Sequence, residues 1–94
     1  MNTKEYLLVC LAEEASEIAQ AVSKCLRFGE NDISPVSNVS NIRQLKQELN
    51  DLYAVVELLS TDYDLEGNHD LITEKQVRLK HWIKYSKERG VIDA

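Results

Sequence analysis

A glutamate in the middle of an apolar helix face is the feature that most constrains this fold. Residues 3 to about 27 have the apolar spacing of one long helix, and Glu14 lies on the face that packing would bury. The residues within about 60° of Glu14 around that helix are apolar: Leu7, Cys10, Leu11, Ile18, Ala21 and Cys25. A buried carboxylate without a partner is costly, and no Lys or Arg occurs between Glu5 and Ser23. A divalent cation is the simplest remaining compensation.

A second acidic cluster makes a metal site on two helices the leading hypothesis. Glu14 and Glu17 are three residues apart, as are Glu48 and Asp51, and this spacing places each pair on one helix face. Mg²⁺ prefers hard oxygen ligands and usually keeps substrate phosphates among them. Two helices packed side by side would therefore offer four carboxylates to one or more ions. The chemistry suited to such a site is metal-assisted hydrolysis of a phosphoanhydride.

Other interpretations of the acidic residues remain open. Glu48 and Asp51 alone could be solvated surface. Glu13 projects further outward and could be a solvent residue, a base that orients water, or a group that hydrogen-bonds the metal ligands. Iron and manganese bundle sites usually carry Glu-x-x-His pairs, and neither His69 nor His81 follows an acidic cluster at that spacing. We expect both histidines to be non-functional.

Chain length, composition and net charge limit the number of domains and the kinds of partner that the protein can bind. With 94 residues, of which 44% are apolar and 29% charged, the chain is expected to form one small globular domain over 1–94. A net charge of −5 argues against binding to nucleic acid or to an anionic membrane. We expect no signal peptide or membrane span, because the apolar run from Tyr6 to Ala12 is too short and no cleavage-site pattern follows it. Cys10 and Cys25 cannot meet along a rigid helix, so we expect reduced thiols and a cytoplasmic location.

The predicted architecture is all-α. We expect three helices over about 3–27, 41–62 and 71–87, with Asn2 or Thr3 capping the first and Ser40 or Asn38 the second, and no strand. The second helix carries a packing stripe at alternating four- and three-residue steps: Leu45, Leu49, Leu52, Val56 and Leu59. A helical hairpin plus a third helix leaves apolar surface uncovered. A second copy would complete a four-helix bundle, so we expect a homodimer or a dimer of dimers.

The pattern Glu-Glu-x-x-Glu, a linker, then Glu-x-x-Asp resembles the MazG-type all-α nucleoside triphosphate pyrophosphatases. The matching stretches here are LLVCLAEEASEIAQAV and LKQELNDLYAVVELL. The wider match covers about 7–59, with a weaker basic and aromatic match in EKQVRLKHWIKYSKERG. The segment SKCLRFG, followed by a loop with Pro and Asn, resembles the compact phage-type members.

This resemblance implies hydrolysis of a nucleoside triphosphate between its α and β phosphates, with Mg²⁺, or Mn²⁺ as a substitute. It implies that the metal ligands are Glu14, Glu17, Glu48 and Asp51. Glu13 matches the first acidic position, and Glu13 or Glu17 would orient or deprotonate the attacking water.

The resemblance also implies that basic and aromatic residues bind the substrate. The candidates for the phosphates are Lys24, Arg27, Lys75 and Lys80. The candidate walls of an apolar slot for the base are Phe28, Tyr53, Trp82 and Tyr85. Two alternatives stay open: phosphoribosyl-ATP pyrophosphohydrolase, a related helical family with the same acidic pattern, and a helical dimerisation or adaptor module without catalytic activity.

Overall fold

The computed structural model describes residues 1–93, and within them the chain forms three α-helices. Helix α1 spans Thr3–Phe28, α2 spans Asn41–Leu59 and α3 spans His69–Glu88. The described residues contain no strand; one isolated antiparallel bridge joins Ile33 to Ser40. The predicted all-α class and the three helices are therefore confirmed.

Helix ends follow local capping chemistry. Asn2 caps α1 in a reciprocal box, in which its side chain accepts from the Glu5 N–H at 2.9 Å and the Glu5 carboxylate accepts from the Asn2 N–H. Gly29 ends this helix with φ +98°, a conformation that L side chains rarely adopt. Ser40 caps α2 by accepting from the Arg43 N–H at 3.3 Å.

Two predicted helix boundaries were wrong. Helix α2 ends at Leu59 and not at residue 62, because the N–H groups of Asp62 and Tyr63 turn back to the Leu59 carbonyl. Helix α3 begins at His69 and not at residue 71, because the Asn68 side chain accepts from the Leu71 N–H at 3.1 Å and caps the helix earlier. His69 is therefore the first residue of α3.

Helices α1 and α2 pack as an antiparallel hairpin. The predicted apolar face of α1 is buried or half-buried, from Leu7 through Ala21 to Cys25, and so is the α2 stripe from Leu45 to Leu59. Ala21 and Leu59 are the only buried apolar side chains among residues 1–93. The hairpin core is therefore thin, and both cysteines within it are free thiols, as expected.

Asn41 fixes the segment that connects the two helices. Its side chain is 3% exposed and donates from Nδ2 to the Gly29 carbonyl at 2.9 Å. Its own N–H donates to the Asp32 carbonyl at 3.0 Å, and the Ile42 N–H donates to the Glu30 carbonyl at 2.9 Å. These bonds join the end of α1 to the start of α2 and hold residues 29 to 40, hereafter the connector, against both helices.

Helix α3 contacts neither α1 nor α2. The radius of gyration is 16.7 Å, whereas a compact domain of this length has about 12 Å. Large apolar side chains of α3 are exposed as a result: Leu71, Ile72, Val77, Leu79, Trp82 and Ile83. Within residues 1–93, none of the helices combines the length and apolar composition needed to cross a bilayer.

Candidate metal centre

Three glutamates from two helices converge at one point of the hairpin. Glu14 and Glu17 come from successive turns of α1, and Glu48 comes from the facing side of α2. Each offers one carboxylate oxygen, and these oxygens all lie within 4.8 Å of one another. The i, i+3 spacing on α1 and the antiparallel packing of α2 are sufficient to bring them together.

Two oxygens of this cluster are buried and have no hydrogen-bond partner among the described residues: Glu14 Oε2 and Glu48 Oε2. The other Glu48 oxygen accepts from Gln44 Nε2 at 2.7 Å, which orients this carboxylate from one turn away. A buried acceptor that receives no hydrogen bond carries a desolvation penalty, and that penalty is larger for a charge. The donor set is hard oxygen throughout, so the residues present fit a divalent cation such as Mg²⁺.

The electrostatics of the cluster are those of crowded like charges. The pKa of Glu17 is raised from its ordinary value of 4.5 to about 7. The largest cause is the Glu48 carboxyl group, which lies close enough to share a hydrogen bond with Glu17 when one of the two groups holds a proton. Repulsion from the negative charges of Glu14 and Glu48 comes next. Without a cation, the cluster therefore retains a proton at a pH where ordinary glutamates are ionised.

This shift predicts how stability depends on pH in metal-free buffer. Between pH 4.5 and about 7, the folded protein binds more protons at Glu17 than the unfolded chain does. The free energy of unfolding therefore falls as pH rises through this range, and the contribution of Glu17 is fully present only at the acidic end. We expect the melting temperature of wild type in EDTA to fall between pH 5 and pH 8, and that of Glu17→Gln to fall less.

Glu57→Gln is the matched control, because Glu57 is an exposed carboxylate of α2 outside the cluster. This variant should keep the pH profile of wild type. If the melting temperatures of wild type and Glu17→Gln changed with pH in the same way, the proposed crowding of negative charge at Glu17 would be contradicted.

The structure does not bring Asp51 or Glu13 into the group of three. Asp51 is exposed and lies one helical turn beyond Glu48 on α2. Glu13 is also exposed, since it is turned about 100° around α1 from Glu14. Their roles as fourth ligand and as water-orienting group stay predictions.

A cavity of about 300 Å³ opens beside the cluster, with Glu17 and Glu48 in its wall. Lys24, a predicted phosphate ligand, lines the same cavity and lies two turns beyond Glu17 on the same face of α1. Sequence reasoning missed the polar residues of this cavity: Gln20, Ser34, Ser37, Asn41 and Gln44. Helical spacing from Glu17 and Glu48 was a signal for Gln20 and Gln44, but nothing in the sequence indicated the contributions of the connector.

The other predicted phosphate ligands lie elsewhere. The Arg27 guanidinium lies over the Phe28 ring, with its central carbon 4.9 Å from the ring centroid. Lys75 and Lys80 are exposed on α3, which does not contact the hairpin that carries the cluster. Within one chain, the structure therefore brings only Lys24 of the four to the cavity beside the carboxylates.

This arrangement could hold a cation between two helices and present it to a polyanion in the adjoining cavity. The net charge of −5 would repel such a polyanion unless a cation neutralised the cluster. Lys24 supplies one positive charge at that cavity. Comparison of the chain with known protein families, with curated proteins and with solved structures found no match.

Proposed function

We propose that this protein is a Mg²⁺-dependent nucleoside triphosphate pyrophosphohydrolase, which converts a (d)NTP to a (d)NMP and pyrophosphate. The observation that carries the proposal is the convergence of Glu14, Glu17 and Glu48 on one point, with two buried oxygens that lack a partner. An adjoining cavity of about 300 Å³ with Lys24 in its wall offers room for a triphosphate. Mn²⁺ would serve as a substitute ion, since it accepts the same oxygen ligands.

Each residue of the cluster has a role in this proposal. Glu14, Glu17 and Glu48 would hold the ion, with Asp51 as a fourth ligand. The bound ion would supply positive charge to the phosphate oxygens and make a bound water more acidic. A carboxylate of Glu13 or Glu17 would orient the attacking water and accept its proton. Lys24 would neutralise negative charge on the phosphates. The oxygen that bridges the α and β phosphates would leave with one of the two products.

The acidic pattern supports this function through its resemblance to the MazG-type pyrophosphatases. Carried onto the fold, the two halves of that pattern lie on α1 and α2, the two helices that pack together. Phosphoribosyl-ATP pyrophosphohydrolase shares the pattern, so substrate turnover has to separate the two. The free thiols of Cys10 and Cys25 support a cytoplasmic location, which we propose on that basis.

Product analysis tests the reaction directly. Purified protein with Mg²⁺ should release pyrophosphate and a monophosphate from at least one of the standard NTPs and dNTPs, and EDTA should stop the release. Phosphoribosyl-ATP belongs in the same panel, and turnover of that compound alone would favour the alternative enzyme. Orthophosphate as the sole initial product would contradict the proposed bond cleavage.

We further propose that two copies complete a four-helix bundle, with a dimer of dimers as a larger form. The support is the exposed apolar surface of α3 and the thin core of the hairpin. Sedimentation at micromolar concentration should show a dimer or a tetramer. Trp82→Glu, in the middle of the exposed α3 surface, should weaken the assembly, whereas Lys87→Glu near the end of α3 should not. A stable folded monomer would contradict this part of the proposal.

A further inference from the structure

A second cavity of about 350 Å³ lies at the end of α1 under the connector. It adjoins the first cavity, because the same four residues line both: Lys24, Ser34, Val36 and Asn41. Its own residues are Phe28, Asp32 and Pro35. One ligand could therefore extend from the carboxylates into this second space without leaving the protein surface.

Residues along one face of α1 follow an order that matches the parts of a nucleotide. Glu17, Lys24 and Phe28 are separated by seven and four residues, so they share one helix face. Over about 16 Å of helix, this face presents a carboxylate, then an ammonium group, then an aromatic ring. This order of side-chain groups suits a ligand with a metal-bound phosphate chain at one end and a flat apolar group at the other.

The walls of the second cavity suit a nucleobase in particular. Phe28, Pro35 and Val36 offer apolar surface, and an aromatic ring can stack on any base. Asn41 is 3% exposed, and its bond to Gly29 uses only one of its amide hydrogens, so its amide oxygen and second hydrogen are left over. Asp32 also lines this cavity, and its carboxylate can only accept hydrogen bonds when ionised.

We infer that this cavity is the base slot of the enzyme, in which Phe28 stacks on the nucleobase and Asp32 favours bases with an exocyclic amino group. The inference rests on the proposed function, because the phosphates must occupy the metal end. Of the aromatic walls considered from sequence, Phe28 lies at this cavity, whereas Tyr53, Trp82 and Tyr85 do not line it. The substrate class is then a triphosphate of adenine, guanine or cytosine in preference to thymine or uracil.

Binding measurements separate the slot from the metal site. Calorimetry in Mg²⁺ would compare inorganic tripolyphosphate with the α,β-methylene analogue of dATP, which carries the base but is not cleaved at that bond. We expect wild type to bind the analogue about tenfold more tightly, as stacking of one base on an aromatic ring implies. Phe28→Ala should remove this difference and leave the affinity for tripolyphosphate unchanged, whereas Phe28→Trp should keep it.

Leu26→Ala is the matched control, because Leu26 is an exposed apolar residue of the same helical turn that lines neither cavity. It should bind both compounds as wild type does. Equal affinity of wild type for the two compounds, or a preference that survives Phe28→Ala, would overturn the slot and leave triphosphate binding intact. Failure of wild type to bind either compound would overturn the proposed function, and the slot with it.

The role of Asp32 has its own readout in the relative kcat/KM for the four dNTPs. We expect dATP, dGTP and dCTP to exceed dTTP by about tenfold, the effect of one hydrogen bond to a charged group. Asp32→Ala should bring the four values together mainly by lowering those of the amino-bearing bases. A preference for dTTP in wild type, or an unchanged ranking in Asp32→Ala, would overturn this assignment.

Discussion

Replacing Glu14 or Glu48 by glutamine is expected to reduce the rate of pyrophosphate release about a thousandfold. Each change removes one charged oxygen ligand from the point where the three carboxylates meet. Charge stabilisation by a bound metal contributes several kcal/mol to such a reaction, and each 1.36 kcal/mol corresponds to a factor of about ten in rate. Initial rates with saturating Mg²⁺ and the best triphosphate from the product screen would measure the effect.

Glu57→Gln is again the matched control and should retain the wild-type rate. Asp51→Asn distinguishes the two interpretations of that exposed residue, because a fourth ligand would lose activity and a surface residue would not. Circular dichroism of each variant would establish that α1 and α2 are intact. Wild-type activity in a folded Glu14→Gln protein would contradict the proposed site.

The second large effect is the one that Mg²⁺ is expected to have on the melting temperature. A ligand that binds only the folded state adds about 2.7 kcal/mol at one hundred times its dissociation constant. For a domain of this size, that corresponds to a rise in melting temperature of roughly 10 °C or more. We therefore expect Mg²⁺ to raise the melting temperature of wild type and to have little effect on Glu48→Gln.

The effect of Glu48→Gln on the melting temperature should change sign when the cation is removed. In EDTA, Glu48→Gln should melt at a higher temperature than wild type, because it removes one of three crowded carboxyl groups and a buried oxygen without a donor. Its bond with Gln44 can still form through an amide oxygen. No change in melting temperature with Mg²⁺ or Mn²⁺, with or without nucleotide, would favour a helical adaptor that has no metal site.

The helical class and the buried faces were predictable because they depend on local spacing. The position of Glu14 among apolar neighbours follows from 3.6 residues per turn and needs no tertiary information. The convergence of Glu17 and Glu48 followed once two helices with acidic pairs were assumed to pack side by side. Asp51 shows the limit of that reasoning, since one turn along α2 places it outside the group of three.

Other features of the fold depend on contacts that leave no periodic pattern in the sequence. The early end of α2 depends on backbone bonds to Leu59, and the early start of α3 depends on one asparagine side chain. The connector lines both cavities, and it is held in place by Asn41 of α2, whose bond to Gly29 spans a loop of irregular sequence. Spacing within a helix cannot reveal such a contact, because it joins residues on different elements.

The separation of α3 from the hairpin has a consequence for biosynthesis. All three converging glutamates and the connector belong to residues 1–59, which a ribosome makes before it makes α3. Synthesis of residues 60–88, up to the end of α3, takes roughly 1 to 6 s at ordinary rates, whereas helical hairpins fold in microseconds to milliseconds. The carboxylates therefore need no contact with α3 in order to meet. A nascent chain would acquire its exposed apolar helix only after the residues of its acidic centre, which shortens the time available for premature association.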